Sequence, residues 1–185
     1  TLARQTSTCL LASSAGQGGR HGTLASMLDW SYDVLSPAEQ RVLRCLAVFR
    51  GGFTLEAAGA VAAGEGADTD SVLDTVIELA SKSLVSTNAG GTDRPRLLDL
   101  TREYAYDKLV RSGELEAARD RHARWLDTLM DRLERDWMDL PRGAWLDLYS
   151  PWVDDILAAI DWALGPGGEP LLGARLASTG FSLGD

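Results

Sequence analysis

Apolar residues recur three or four positions apart along most of the chain, the spacing that places them on one face of an α-helix. Leu24, Met27, Leu28, Ser31 and Leu35 keep that period. Ser36-Pro37-Ala38-Glu39 reads as a helix start. Serine can cap, proline suits the first helical position, and Glu39 is placed to close a capping box. Val42, Leu43, Leu46 and Phe49 then form a stripe that Gly51-Gly52 stops. Thr54 is expected to cap a short helix from Leu55 to Ala63. A further helix is expected from Asp70 to Lys82, with Val72, Leu73, Val76, Ile77 and Ala80 on its buried side.

The helical period then stops, and β-branched content and short length point to strands instead. Leu84-Val85-Ser86-Thr87 predicts a strand, Asn88 to Asp93 a turn, and Arg94 to Asp99 a partner strand whose Pro95 must start it or lie on its edge. Two helices, a short helix, a further helix and then a β-hairpin is the order of a winged helix. Helices resume as Thr101–Ser112 and Glu114–Trp137, parted only by Gly113. The second is striped by Leu115, Ala118, His122, Trp125, Leu126, Leu129, Leu133 and Trp137, with Asp120–Arg124 and Asp131–Arg135 as i,i+4 pairs. Pro141 and Pro151 each open another helix, the latter striped by Val153, Ile156, Leu157, Ile160 and Leu164, and an apolar stretch runs from Leu171 to Leu183. The expected fold is mainly α: a winged helix with a small β-hairpin, followed by helical, TPR-like superhelix units. The tetratricopeptide signature itself is not legible.

Charge narrows the functional classes. The 185 residues carry 18 Lys+Arg against 27 Asp+Glu, a formal net charge of −9, which disfavours a general nucleic-acid or anionic-membrane binder. No apolar run approaches the length of a membrane span. Cys9 and Cys45 have no metal-binding spacing, so reduced thiols and a cytoplasmic location are expected. Thr1 in place of an initiator Met suggests a segment of something longer.

Several blocks together resemble a known family. They are Arg20-His21-Gly22-Thr23-Leu24, Leu28-Asp29-Trp30-Ser31-Tyr32-Asp33-Val34-Leu35-Ser36, Phe49-Arg50-Gly51-Gly52-Phe53-Thr54-Leu55-Glu56-Ala57-Ala58, Lys82-Ser83-Leu84-Val85 and Arg96-Leu97-Leu98-Asp99-Leu100-Thr101-Arg102-Glu103-Tyr104-Ala105. The chain resembles the bacterial STAND-class (NB-ARC-related) signalling ATPases, many of them transcriptional regulators. The resemblance implies the segment that follows the P-loop domain: residues 1–22 as the end of the lid and a linker, 23–112 as a winged helix, 113–185 as the start of helical repeats. It implies ATP or ADP in the parent protein and none held by this chain, which has no G-x-x-x-x-G-K-[ST]. Its partners would be an upstream P-loop ATPase domain, downstream helical repeats and an inducer of unknown chemistry. Where the family carries Met-His-Asp at the end of the wing, this chain has Leu97, Leu98 and Asp99. The resemblance makes Leu98, Asp99 and Arg102 an interdomain hinge and puts Arg20 and His21 near nucleotide.

The residues themselves offer little chemistry. Gly16 to Gly22 fails as a dinucleotide fingerprint because His21 holds the third glycine position, and a linker is expected there. His122 lies in an apolar stripe and is expected to pack. Asp154 and Asp155 point about 100° apart on a helix and suit its N-terminal dipole rather than acid–base work. The six tryptophans are expected to pack in the core and between the repeats. Asp99, between a strand and a helix, is expected to be an N-cap. No catalytic residue and no metal ligand set is expected. The leading reading is a non-catalytic regulatory segment that couples nucleotide state to a helical sensor; the alternatives are a DNA-binding winged-helix transcription factor module and, more remotely, an enzyme. Direct DNA contact is disfavoured because Asp70, Asp74, Glu78 and Lys82, three acids and one base, share the exposed face of the expected recognition helix, and Arg94 and Arg96 on the wing are too few to reverse the repulsion.

Overall fold

The computed structural model describes residues 18–63, 69–87 and 94–180. The expectations for residues 1–17, Cys9 among them, for the hairpin turn at 88–93 and for the chain beyond Gly180 fall outside these residues. The described part is mainly α-helical, in two compact units divided between Ser36 and Pro37. The first contains α1 (Gly18–Asp33). This helix starts inside the glycine cluster expected to be a linker, so Gly18, Gly19 and Gly22 are helical. Each glycine costs about 1 kcal/mol relative to alanine, which weakens a helix without forbidding it. Met27 and Trp30 are exposed on α1, Trp30 at 72%.

The second unit begins with α2 (Pro37–Leu46), α3 (Leu55–Ala62), α4 (Thr69–Ser81) and α5 (Asp99–Ser112). Val42, Leu43 and Leu46 are buried as their spacing requires, and α2 packs against α3, α4 and α5. Three shorter-range bonds, ending with Phe49 N–H to Leu46 O at 3.3 Å, tighten the chain after α2. They bring Phe49 and Phe53 into the core with ring centroids 5.3 Å apart. Gly52 is required here: a Cβ would stand 2.9 Å from Arg94 Cβ. Thr54 caps α3 as expected, its hydroxyl accepting the Ala57 N–H at 3.1 Å. Glu39, placed to close a capping box, is buried and takes the Lys82 ammonium across the unit. On α4 the buried side is Val72, Thr75, Val76 and Leu79; Ile77, expected inside, is exposed.

The expected hairpin is reduced, among the described residues, to one antiparallel bridge, Ser86 with Arg96 (2.8 and 2.9 Å). Two competing uses of the backbone explain this. Ser83 adopts φ 60°, and the N–H groups of Ser83 and Leu84 bond to Ala80 O and Leu79 O, a Schellman ending of α4 that consumes donors the strand would have used. On the other side Pro95 has no donor, and its carbonyl accepts the Phe53 N–H at 2.8 Å. Asp99 is also not the cap it was expected to be. Leu98 occupies that position without a side-chain bond, and Asp99 is the first helical residue of α5.

Gly113, at φ 75°, ends α5. There follow α6 (Leu115–Asp139), α7 (Arg142–Tyr149), a 3₁₀ turn (Ser150–Trp152), α8 (Val153–Leu164) and α9 (Pro170–Gly180). Helices α6, α8 and α9 pack on one another, and α6 also packs on α3. Trp125, Trp145 and Trp152 are buried, as expected of packing tryptophans; Trp30 and Trp137 are exposed. The Asp120–Arg124 pair forms at 3.0 Å, whereas Arg135 bonds the Asp131 carbonyl instead of its carboxylate. Trp145 Nε1–H donates to Leu133 O at 3.1 Å, and the Tyr149 hydroxyl donates to the Asp136 carboxylate, fixing α7 to α6. The lengths of 25, 8, 12 and 11 residues for α6 to α9 give no regular repeat over the described residues.

These helix ends rank three substitutions. Thr54→Ala removes a bonded cap and should cost about 1 kcal/mol. Asp99→Ala removes only a charge near the dipole and should cost about 0.5 kcal/mol. Ser83→Gly relieves a left-handed backbone and should stabilise by about 1 kcal/mol. Urea melts of the three variants against the parent chain would check the order.

Candidate functional site

The polar centre of the second unit is Asp155. It lies on α8, whose buried face is Asp155, Ile156, Ala159 and Ala163 rather than the expected Val153, Leu157 and Leu164, all three of which are exposed. Alanines at that spacing let α8 approach α6 closely, and the carboxylate is carried in with them, fully shielded from solvent. A buried ionised carboxylate is tolerated only with compensating donors or charge. Its Oδ1 accepts the Arg50 backbone N–H at 2.8 Å. His122 Nε2 of α6 stands 3.2 Å from the same oxygen, close enough for an ion pair when protonated though not aligned as a hydrogen bond. Phe49 packs edge-on against the His122 ring, centroids 4.9 Å apart. His122 is thus the packed histidine the stripe predicts, with a partner the sequence reading missed.

Arg94 brings a guanidinium near the same carboxylate. Its guanidinium lies over Trp152 at 4.5 Å and donates to Leu148 O at 2.9 Å. Burial pushes its pKa down and the nearby Asp155 charge opposes the shift. The helices after Gly113 are tied to those before it at other points too. Arg44 meets Glu114 at 2.6 Å, and Arg121 Nε–H donates to Val61 O at 2.6 Å, closing the C-terminal end of α3. Arg132 meets Glu56 at 2.5 Å. Burial raises the Glu114 carboxyl, but hydrogen bonds from Arg44 and Ser112 outweigh it and hold the pKa below the usual range. At Glu56 the Arg132 hydrogen bond leads, with the same result.

The residues predicted as a hinge are contiguous on one helix start. Leu98 is exposed, Asp99 opens α5, and the Arg102 N–H bonds back to Leu98 O at 2.8 Å. Arg102 lines an open cleft of about 430 Å³ with Arg50, Glu103, Tyr106 and Asp107. The structure therefore brings Arg102 next to Arg50, which the sequence reading did not connect. Arg20 and His21 fall within α1, and their side chains lie outside the described set. A His–Asp contact invites a hydrolase comparison. The cavity of about 80 Å³ beside His122 is lined by Val48, Arg50, Tyr106, Arg119 and residues of α8, with no Ser, Thr or Cys among its lining residues to act as nucleophile. Cys45 is buried away from it, and burial raises its thiol pKa, which keeps it protonated. No group of three or more candidate metal ligands is found among the described residues, and no described helix is long and apolar enough to cross a membrane.

Comparison with known proteins gives partial matches. The chain is 47% identical over 109 residues to proteins of Mycobacterium tuberculosis and Mycobacterium bovis that are provisionally named HTH-type transcriptional regulators. The match takes 58% of this chain and 12% of each relative. It is 39% identical over 120 residues to an uncharacterized protein of Mycobacterium tuberculosis, covering 63% of this chain and 30% of that protein. No protein-family profile and no solved structure matches.

Two measurements probe this polar centre and its rim. Asp155→Ala strips the buried Arg50 N–H of its acceptor and should cost about 2–3 kcal/mol, the scale of leaving a buried donor unsatisfied. Asp155→Asn, which keeps an acceptor oxygen, should cost clearly less; equal losses in guanidinium melts would contradict this. Tyr149 is held at a pKa of about 12, raised by burial and then by the Asp136 hydrogen bond. The folded state holds that proton more tightly than the unfolded chain, so the stability Tyr149 contributes is complete below pH 10 and lost between pH 10 and about 12. Tyr149→Phe should flatten that alkaline loss in melts taken across the same window.

Proposed function

We propose that this chain is a non-catalytic regulatory segment of a STAND-type ATPase transcriptional regulator, coupling the nucleotide state of an upstream P-loop domain to a helical sensor. Residues 23–112 would be its winged helix and 113–185 the start of its superhelix. The observation that carries the reading is the buried Asp155 contact. It ties the helices after Gly113 to the turn after α2, so a displacement at the hinge of Leu98, Asp99 and Arg102 would be passed on rather than absorbed. The exposed Met27 and Trp30 on α1 suit a surface that meets the upstream domain. The names of the mycobacterial relatives support a place in transcriptional regulation.

Those same names favour a second reading, in which α4 enters a DNA groove. The exposed face of α4 opposes it, since Asp70, Asp74 and Glu78 are all exposed there and would meet phosphate with repulsion. The chain should give no shift of random duplex DNA in low-salt gel titrations, and calorimetry with ADP and ATP should show no micromolar binding. A salt-sensitive micromolar DNA complex would select the second reading. Micromolar nucleotide binding by the chain alone would overturn the first.

A further inference from the structure

Asp155 is satisfied on one side only. Its Oδ1 accepts the Arg50 N–H and faces His122, whereas Oδ2 is shielded from solvent and has no donor. Arg94 presents the complementary defect. Its Nη2 donates to Leu148 O at 2.9 Å, while Nη1 is shielded and has no acceptor. Buried polar atoms without partners are uncommon in folded proteins, and here a donor and an acceptor are both left over.

Two features place these groups side by side. The Arg94 guanidinium lies 4.5 Å from the centre of the Trp152 ring. Trp152 and Asp155 stand three positions apart where the 3₁₀ turn runs into α8, a spacing that makes them neighbours. A Cβ on Gly51 would meet Asp155 Oδ2 at 3.9 Å, and one on Gly52 would meet Arg94 Cβ at 2.9 Å. Both groups therefore lie against the same pair of glycines. We infer that Arg94 and Asp155 are the halves of a lock, open in this structure, which closes past Gly51-Gly52 by a charge-assisted bond from Nη1–H to Oδ2. Closing draws the segment that carries Arg94 toward α8 and satisfies both buried atoms at once. That segment continues through Arg96, bonded to Ser86, into Leu98, whose carbonyl holds the Arg102 N–H. The lock thus sets how firmly the start of α5 is tied to α8. Its use in signalling rests on the coupling reading above; its existence does not.

Urea melts and native-state hydrogen exchange of the whole chain test this, with Arg94→Gln, Asp155→Asn, their double variant and Gly51→Ala. In melts, Asp155→Asn should change the unfolding constant at least about fivefold less in the Arg94→Gln background than in the parent, as for residues in contact. Additivity within about twofold would overturn the lock. In exchange, Arg94→Gln and Asp155→Asn should each speed the Arg96 and Arg102 amides at least about threefold relative to amides of α3, although Asp155 bonds to neither. If Arg94→Gln fails to fold, Gly51→Ala takes its place. Its methyl fits the open arrangement in ordinary contact, and by crowding Oδ2 it should speed the same two amides. Unchanged exchange at Arg96 and Arg102 in both Asp155→Asn and Gly51→Ala would mean that Arg94 only packs on Trp152, and would overturn the proposal. Neither measurement involves nucleotide, so failure of the coupling reading in the ADP and ATP titrations would leave the lock standing.

Discussion

A carboxylate without access to water is costly unless the protein supplies what water would have supplied. Asp155 is in that position, and the arrangement around it follows. The chain after α2 must bend tightly enough to aim the Arg50 N–H inward, which the bonds from Ala47 to Phe49 accomplish. Gly52 must lack a side chain so that Arg94 can pass alongside. Helix α6 must present His122, and α8 must carry small residues to come close. Each of these elements has apolar reasons to pack, but hydrophobic burial alone is non-directional. The buried polar contact is what ties a loop at residue 50 to a helix at residue 155.

Arginine is the usual fastener between the earlier and later helices. Arg44, Arg121 and Arg132 each bridge segments 60 or more residues apart, to Glu114, the Val61 carbonyl and Glu56. Arg124 and Arg175 make shorter-range ties within the later part of the chain, reaching Glu169 and Asp127. The more exposed of these pairs contribute little individually, since solvent screens them. Their number has another consequence. Several positive charges are paired with acids across joints, whereas Asp70, Asp74 and Glu78 leave an exposed face of α4 acidic.

The sequence made the helices legible because their apolar period is strong: the stripes of α2 and α6 are buried nearly as spaced, and the Thr54 cap forms. What it did not reveal were competitions among local options. Leu84 and Val85 look like strand residues, yet the left-handed Ser83 turns their donors back onto α4. Asp99 has the chemistry of a cap, yet Leu98 stands one position earlier. The Asp155 contact was hidden for a similar reason. Large aliphatic residues on α8 drew attention to the face that is exposed, while the alanines at 159 and 163 mark the face that is buried. A histidine inside an otherwise apolar stripe was the available signal, since such a group needs a partner from elsewhere in the chain. The hinge at Leu98, Asp99 and Arg102 came from resemblance, and its closeness to Arg50 is a matter of tertiary structure that spacing cannot supply.

The span between Arg50 and Asp155 also has a consequence for synthesis. Chains emerge from the ribosome in order, so the turn at Phe49 and Arg50 is made long before the acid it donates to. Until α6 arrives, the face of α3 that it covers stays open, and until α8 arrives the Arg50 amide has only water. The earlier helices can form locally while their final packing waits on more than a hundred further residues. A pause in translation between these points would hold the nascent chain with its apolar surface uncovered, the state in which aggregation or a chaperone would find it.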